Sequence, residues 1–481
     1  MTLDDRINAA IAPISERFAA LVFAEVPVMG VGVPIVVAWL VAGAVFCTLY
    51  FSFVQVRGIP TAVRALRGDY DEPDAPGQIT HFQALATAIS GTVGIGNIGG
   101  VAVAVSVGGA GATLWMILAG LLGMATKFAE CTLGVRYRRV NPDGTVSGGP
   151  MFYLRQGMAE RGWPRLGDSL GGFYAVGIMV GCLGIGNMFQ ANQAYEQLRA
   201  ATGGAASPLE GMGWLVGLVL AATVGAVILG GIRSIAAVTG RLVPFMAGLY
   251  FVSAVAVIVI NIGALPQAIA NIFVQAFAPE AVAGGAIGAM VVGMKRAVFS
   301  NEAGIGSASI AHSAAKTNLP ATEGLVALFE PFIDTVVICT LTALVLGVAG
   351  VTWPDFMSSG LSGVALTSDA FGRTVWWFPY PLAVAAVLFA VSTMLSWSYY
   401  GLKGWVYLFG ENKGLQALYK VIFCLFVALG ATVELDAVLD FSDAMTFVLC
   451  VPNMLGLVLL APVVRLELGR LMAKEAQGAP A

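Results

Sequence analysis

The chain has 481 residues, 58% hydrophobic and only 11% charged, with a mean hydropathy of +0.83. These proportions exclude a soluble globular protein and define an all-α polytopic membrane protein. A formal net charge of -3 leaves no basic surplus for phosphates, and no stretch interleaves Lys or Arg with aromatics, so nucleic acid is not an expected partner.

In chain order, residues 1-28 read as an amphipathic segment at the membrane surface. Asp4, Asp5 and Glu16 stand where a cleavable signal would carry basic residues. A hydrocarbon core about 30 Å thick needs about 20 apolar residues per helix. That rule predicts eleven spans, near 30-55, 80-108, 113-135, 170-198, 211-230, 241-263, 285-312, 324-350, 380-403, 417-434 and 444-465. Eighteen of the 25 basic residues then share one side with Arg57, Arg64 and Arg67, and four (Arg6, Arg17, Arg199, Arg373) lie opposite. The positive-inside rule puts the N-terminus outside and the C-terminus in the cytoplasm. The acidic turn "ELDAVLD" at 434-440 suits the outer side. All six cysteines stand singly in apolar segments, without metal spacing, and read as small buried hydrophobes.

An internal echo organises the spans. "TVGIGNIGG" in the second span and "EAGIGSAS" in the seventh both place Gly-Ile-Gly mid-segment, at 94-96 and 304-306. Five spans apart, the copies cross in opposite directions, which is the arithmetic of an inverted repeat. Residues 80-263 form the first five-helix unit and 264-465 the second, with 29-79 an extra first span and cytoplasmic linker and 466-481 a cytoplasmic tail. Glycine-interrupted segments in corresponding positions of two halves point to a transporter's binding site. Unwinding a helix at mid-membrane frees backbone groups, tolerable only where they line a cavity. Glycine supplies unusual dihedrals and close approach. A third "GIGN" at 184-187 shows how easily the wording recurs. The literal G-x-G-x-x-G at Gly94, Gly96 and Gly99 follows no strand, so no dinucleotide-binding unit is expected. No nucleophile with a paired base appears, so catalysis is not expected.

"HFQALATAISGTVGIGNIGGVAVA", "LGMATKFAE", "SGGPMFYL", "IGNMFQANQ", "KRAVFSNEAGIGSA", "PFIDTVVICTLTALV" and "FAVSTMLSWSYYG" resemble the alanine or glycine:cation symporter family from about residue 20 to 465. The resemblance implies the leucine-transporter fold, a five-plus-five inverted repeat with broken spans two and seven. It implies a small amino-acid substrate such as alanine or glycine, Na⁺ as coupling ion without an organic cofactor, and the cell (inner) membrane. Carried over, substrate contacts fall on Thr92, Gly94, Ile95, Gly96, Asn97, Asn187, Gln190, Phe299, Ser300, Asn301 and Trp397. Sodium ligands fall on Ser90, Val93, Ser392 and Thr393. The family usually has Thr at the position of Ile95, Gly at Ser396, Pro at Ser309 and an acid at Leu402.

Other polar residues have plainer readings. Lys127 and Glu130 suit an i, i+3 pair reaching for the interface; Glu302 is open to ligating the ion, contacting the amine or carrying a proton, with pairing to Lys295 or Arg296 the favoured reading. Asp334 is open to a gate, a polar network or a proton site. His81 and His312, isolated in sequence, suggest neither a metal site nor a relay. Proton-coupled symport on the same fold, and a channel, remain the alternative functions.

Overall fold

The computed structural model describes residues 3-28, 30-72, 74-277, 285-432 and 443-477; the "ELDAVLD" turn lies outside them. Seven helices among these residues are long and apolar enough to cross a bilayer, and eight when a bent pair is taken as one span. The long helices are Ala112–Arg136, Pro164–Ala201, Gly231–Ile260, Pro320–Thr352, Pro379–Phe409, Lys413–Gly430 and Asp443–Ala476. The bent pair is the second span, His81–Thr92 and Ile95–Gly108, kinked by 61°. Shorter apolar helices at Ile35–Tyr50 and Gly213–Ile228 stand at the first and fifth expected spans. Gly285–Asn301 and Ala308–His312 form the interrupted seventh.

Local chemistry sets several boundaries. Thr80 and Gln83 form a reciprocal capping box that starts the second span: the Gln83 N–H donates to Thr80 Oγ1 at 3.2 Å and the Thr80 N–H to Gln83 Oε1 at 3.1 Å. Prolines open the helices at Pro150, Pro164, Pro320 and Pro379, where the missing N–H costs nothing. Asn412 caps Lys413–Gly430 by accepting from the Gly414 and Leu415 N–H groups. The ninth span is the most enclosed, 78% of its apolar window buried, against 22% for the tenth. It therefore forms the central post against which the second span packs.

Three features were not expected. Residues 3-22 are helical, but the chain then makes a β-hairpin, Glu25–Val28 with Val31–Pro34, so the first span opens at Ile35 rather than near 30. An additional apolar helix, Leu265–Phe277, follows the sixth span, and Gly363–Thr374 precedes the ninth. The Gly363–Thr374 helix seats on the second span so closely that a Cβ at Gly99 would lie 2.6 Å from Val364 Cγ2.

Candidate functional site

Each Gly-Ile-Gly stretch interrupts its span, but the two breaks differ. In the second span, helix ends at Thr92 and resumes at Gly99 after a single 3-10 turn, Ile95–Asn97. Gly94 there has φ -145°, open to any residue, so it is space and not dihedral freedom that favours glycine. A Cβ would stand 3.1 Å from Thr393 Oγ1 and 3.7 Å from Gln190 Oε1. In the seventh span, left-handed backbone does the work, with φ 56° at Glu302, 95° at Gly304 and 94° at Gly306.

Hydrogen bonding separates the breaks further. The seventh is filled by the chain's own side chains. Glu130 Oε1 accepts from the Gly304 N–H and from Asn453 Nδ2, both at 2.8 Å. Asn453 Nδ2 also donates to Gly304 O, and Tyr174 OH donates to Ile305 O at 2.9 Å. At the second break, among the described residues, no acceptor meets the N–H of Ile95 or Gly96, and no donor meets the carbonyls of Thr92 or Val93. Gln190 Oε1 is likewise buried without a partner, its amide held by Nε2 donating to Ile185 O at 3.1 Å. Buried polar groups of this kind await a ligand or water.

The ninth span lines this opening with oxygen. Ser392 Oγ lies 3.5 Å from Ser90 O, and Ser392 and Thr393 both donate to Phe389 O at 2.9 Å. Ser90 Oγ meets Ser396 Oγ, and Ser396 donates to Thr87 O at 2.7 Å. Hydroxyls and carbonyls without thiolate or imidazole form the donor set of a hard cation. Trp397 is 2% exposed, which removes it from any interfacial belt. Its Nε1 donates to Gly91 O at 3.1 Å, and its ring covers Gly186, where a Cβ would fall 2.2 Å from Trp397 Cγ. The third "GIGN" thus serves close packing: Gly184–Met188 widens into a π turn without breaking the span.

Asn97 ties the breaks together. Its Oδ1 accepts from the Gly94 N–H at 2.7 Å, while Nδ2 donates to Ser300 Oγ at 3.0 Å and to Asp334 Oδ1 at 2.6 Å. Ser300 and Thr335 hydroxyls both donate to Asp334 Oδ2 at 2.7 Å. Among the described residues no Lys, Arg or His pairs with Asp334, although its side chain is fully buried. It sits in a π-helical stretch, Phe332–Cys339, a geometry often found at functional sites. Phe299 lies against Gly96 from the other side, 3.9 Å from its would-be Cβ.

Of the expected residues, Ser90, Gly94, Gly96, Asn97, Gln190, Phe299, Ser300, Ser392, Thr393 and Trp397 thus flank the second break, and Ile95 is buried within it. Val93 contributes its carbonyl at the break. Thr92 turns its hydroxyl back to Ala88 O and Ile89 O. Asn187 points to the tenth span, donating to Phe423 O at 2.8 Å, and Asn301 to Thr335 Oγ1 at 3.0 Å. The anticipated Lys127–Glu130 pair does not form. Lys127 pairs with Glu330 at 2.8 Å, both fully buried, because Glu130 is taken by the seventh break. Glu302 accepts from Ser307, while Lys295 and Arg296 lie over the rings of Phe23 and Phe299.

Two discontinuous helices meeting mid-bundle, one with free backbone groups beside a bank of hydroxyls, define a secondary transporter of the leucine-transporter fold. Solved structures share that architecture. The transporter MhsT, crystallised with L-phenylalanine, superposes with a TM-score of 0.57 over 80% of this chain and 89% of that one at 15% identity. A manganese transporter of Eremococcus coleocola gives 0.51 over 79% and 80% at 12% identity. The sodium:alanine symporter family matches residues 18-480. The chain is 40% identical over 433 residues to the sodium/alanine symporter AgcS of Methanococcus maripaludis, spanning 90% of this chain and 92% of that protein. It is 32% identical to the probable sodium/glutamine symporter GlnT of Bacillus subtilis over 89% and 86%. The chain belongs to the sodium:alanine symporter family, and it is a membrane transporter, not an enzyme.

Proposed function

We propose that this protein imports alanine, glycine or a similarly small amino acid with Na⁺, by alternating access about the second break. The observation that carries the reading is the set of unsatisfied groups there: the Ile95 and Gly96 N–H groups on one side, the Thr92 and Val93 carbonyls on the other. The N–H groups, at the start of the Gly99–Gly108 half-helix, suit a carboxylate. Gln190 Oε1 and the carbonyls suit an ammonium or a cation. A Cβ at Gly94 would stand only 3.1 Å from Thr393 Oγ1, so a side chain there would crowd the break, and a small substrate is supported by the relative named as a sodium/alanine symporter. The hydroxyls of Ser392 and Thr393, with the carbonyls of Ser90 and Val93, are the sodium ligands in this reading. They hold their protons toward Phe389 O and offer lone pairs to an ion.

In the same reading the protein lies in the cell (inner) membrane with its N-terminus outside. The two five-helix units, 80-263 and 264-465, rock about the breaks. Asp334 specifically favours attention to a second coupling ion, because a buried carboxylate without a counter-ion is costly. Donors from Asn97, Ser300 and Thr335 offset part of that cost, and a bound metal cation or a proton would neutralise the rest. Purified protein in liposomes separates the cases. A sodium gradient at equal pH should drive accumulation of labelled alanine, and a pH gradient in sodium-free buffer should not. Uptake driven by protons alone, and lost in Asp334→Asn, would transfer the coupling role to H⁺.

A further inference from the structure

Away from the second break, the structure assembles a cluster of titratable groups that the transport site does not use. His81 begins the second span, His312 ends the helix after the seventh break, and Glu323 lies in the first turn of Pro320–Val326. Glu323 is fully buried between the two imidazoles. Its Oε1 meets His312 Nδ1 at 2.6 Å and its Oε2 meets His81 Nδ1. The outer nitrogens face two further carboxylates: His81 Nε2 is 3.8 Å from Asp71, and His312 Nε2 is 3.9 Å from Glu330. Glu330 in turn holds Lys127. The imidazole nitrogens diverge, and among the described residues no three such side chains converge on a metal.

The same place is stapled by backbone. The Gln78 N–H donates to Ala314 O at 2.7 Å and the Lys316 N–H to Ile79 O at 2.9 Å. Arg138 reaches the carbonyls of Pro76, Ser313, Ala315 and Thr317. The ends of both broken spans are therefore joined on one face, and opening that face must part His81 and His312 from Glu323 or admit water between them.

We infer that the His81, Glu323 and His312 clasp is a proton-binding latch on this face: a proton taken up by the imidazoles holds the face closed, and its loss lets the face open. The charges give the sign. With both imidazoles neutral, Asp71, Glu323 and Glu330 carry three negative charges against Lys127 and Arg138, and one proton brings the group to zero. Arg138 opposes that proton from the His81 side, and Glu130 and Glu302 favour positive charge beyond Lys127. The reference pKa of a solvated imidazole is about 6.5. Burial works against a proton on His81, and the carboxylates of Glu323 and Asp71 on either side of its ring outweigh it, so the closed face binds that proton more tightly than the open one, and closure strengthens as pH falls from about 8 to about 6. No ion or substrate at the second break enters this inference.

Hydrogen exchange on the full chain in lipid nanodiscs tests it, with rates corrected for the intrinsic pH dependence of exchange. Peptides covering 76-82 and 312-318 should gain about tenfold in protection between pH 8 and pH 6, the effect of about one proton unit of linkage. Peptides of the third span, 120-130, should not change. The His81→Gln/His312→Gln variant should show equal protection at both pH values, and each single variant a reduced response. Unchanged wild-type protection at 76-82 and 312-318 would overturn the latch without the need of any variant. So would a pH response that persists in the single and double variants alike.

Discussion

Asn97→Ala tests the join between the two broken spans. The side chain gives and takes five hydrogen bonds: from the Gly94 N–H at 2.7 Å, to Ser300 Oγ at 3.0 Å, to Asp334 at 2.6 Å (Oδ1) and 3.2 Å (O), and to Cys339 Sγ at 3.4 Å. Truncation leaves the Gly94 N–H and one Asp334 carboxylate oxygen buried and unpaired. At about 1-3 kcal/mol for a neutral group and somewhat more for a charged one, the loss is about 4 kcal/mol. Water entering the vacated space recovers part of it. If about 2 kcal/mol falls on the ligand-bound state, apparent alanine affinity weakens about 30-fold. Calorimetric titration at saturating sodium reads the affinity, and a thermal melt in the same detergent reads the rest as lost stability. A variant within twofold of wild type in both would refute the claim that Asn97 organises the second break.

Other substitutions divide the account into separate claims. Ser392→Ala and Thr393→Ala should each raise the sodium concentration for half-maximal alanine uptake about tenfold, with a smaller effect on alanine KM at saturating sodium; equal effects on both would remove these hydroxyls from the ion. Lys127→Met strands Glu330 in the interior and should cost about 3-5 kcal/mol in a denaturation assay, whereas Lys127→Met with Glu330→Leu should recover most of it. A single variant as stable as the double would show that the pair does not carry its charge as described. Ile95→Thr adds a hydroxyl beside the free N–H groups and should change the ranking of glycine, L-alanine, D-alanine and larger amino acids in a binding panel. An unchanged ranking would exclude this side chain from the pocket.

Much of the architecture was legible because membrane helices announce themselves by apolar length, and mid-membrane glycine pairs are hard to explain without a break. The copies at Gly94 and Gly304 were found this way, and the ninth-span hydroxyls of Ser392 and Thr393 lie beside the second break. What wording alone missed was how each break is satisfied. Glu130 stands 174 residues from the Gly304 N–H that it accepts, and Asp334 stands 237 from Asn97, so helix-face spacing within one segment assigned these charges to the wrong partners or left them open. The two histidines read as isolated because Glu323, which joins them, lies 242 residues from His81. The third "GIGN" reads like the others, and only the indole of Trp397 against Gly186 reveals that its glycine serves packing. The hairpin before Ile35 and the helix Leu265–Phe277 escaped because short amphipathic or apolar runs beside a span carry no length signal of their own.

Coupling at the second break is tested most directly by a sodium jump. Proteoliposomes prepared without sodium, at the same pH inside and out, receive labelled alanine and then external sodium. The account predicts accumulation above the external alanine concentration that saturates with both solutes and collapses when the sodium gradient is dissipated. Equilibration without accumulation, or uptake indifferent to sodium, would contradict it.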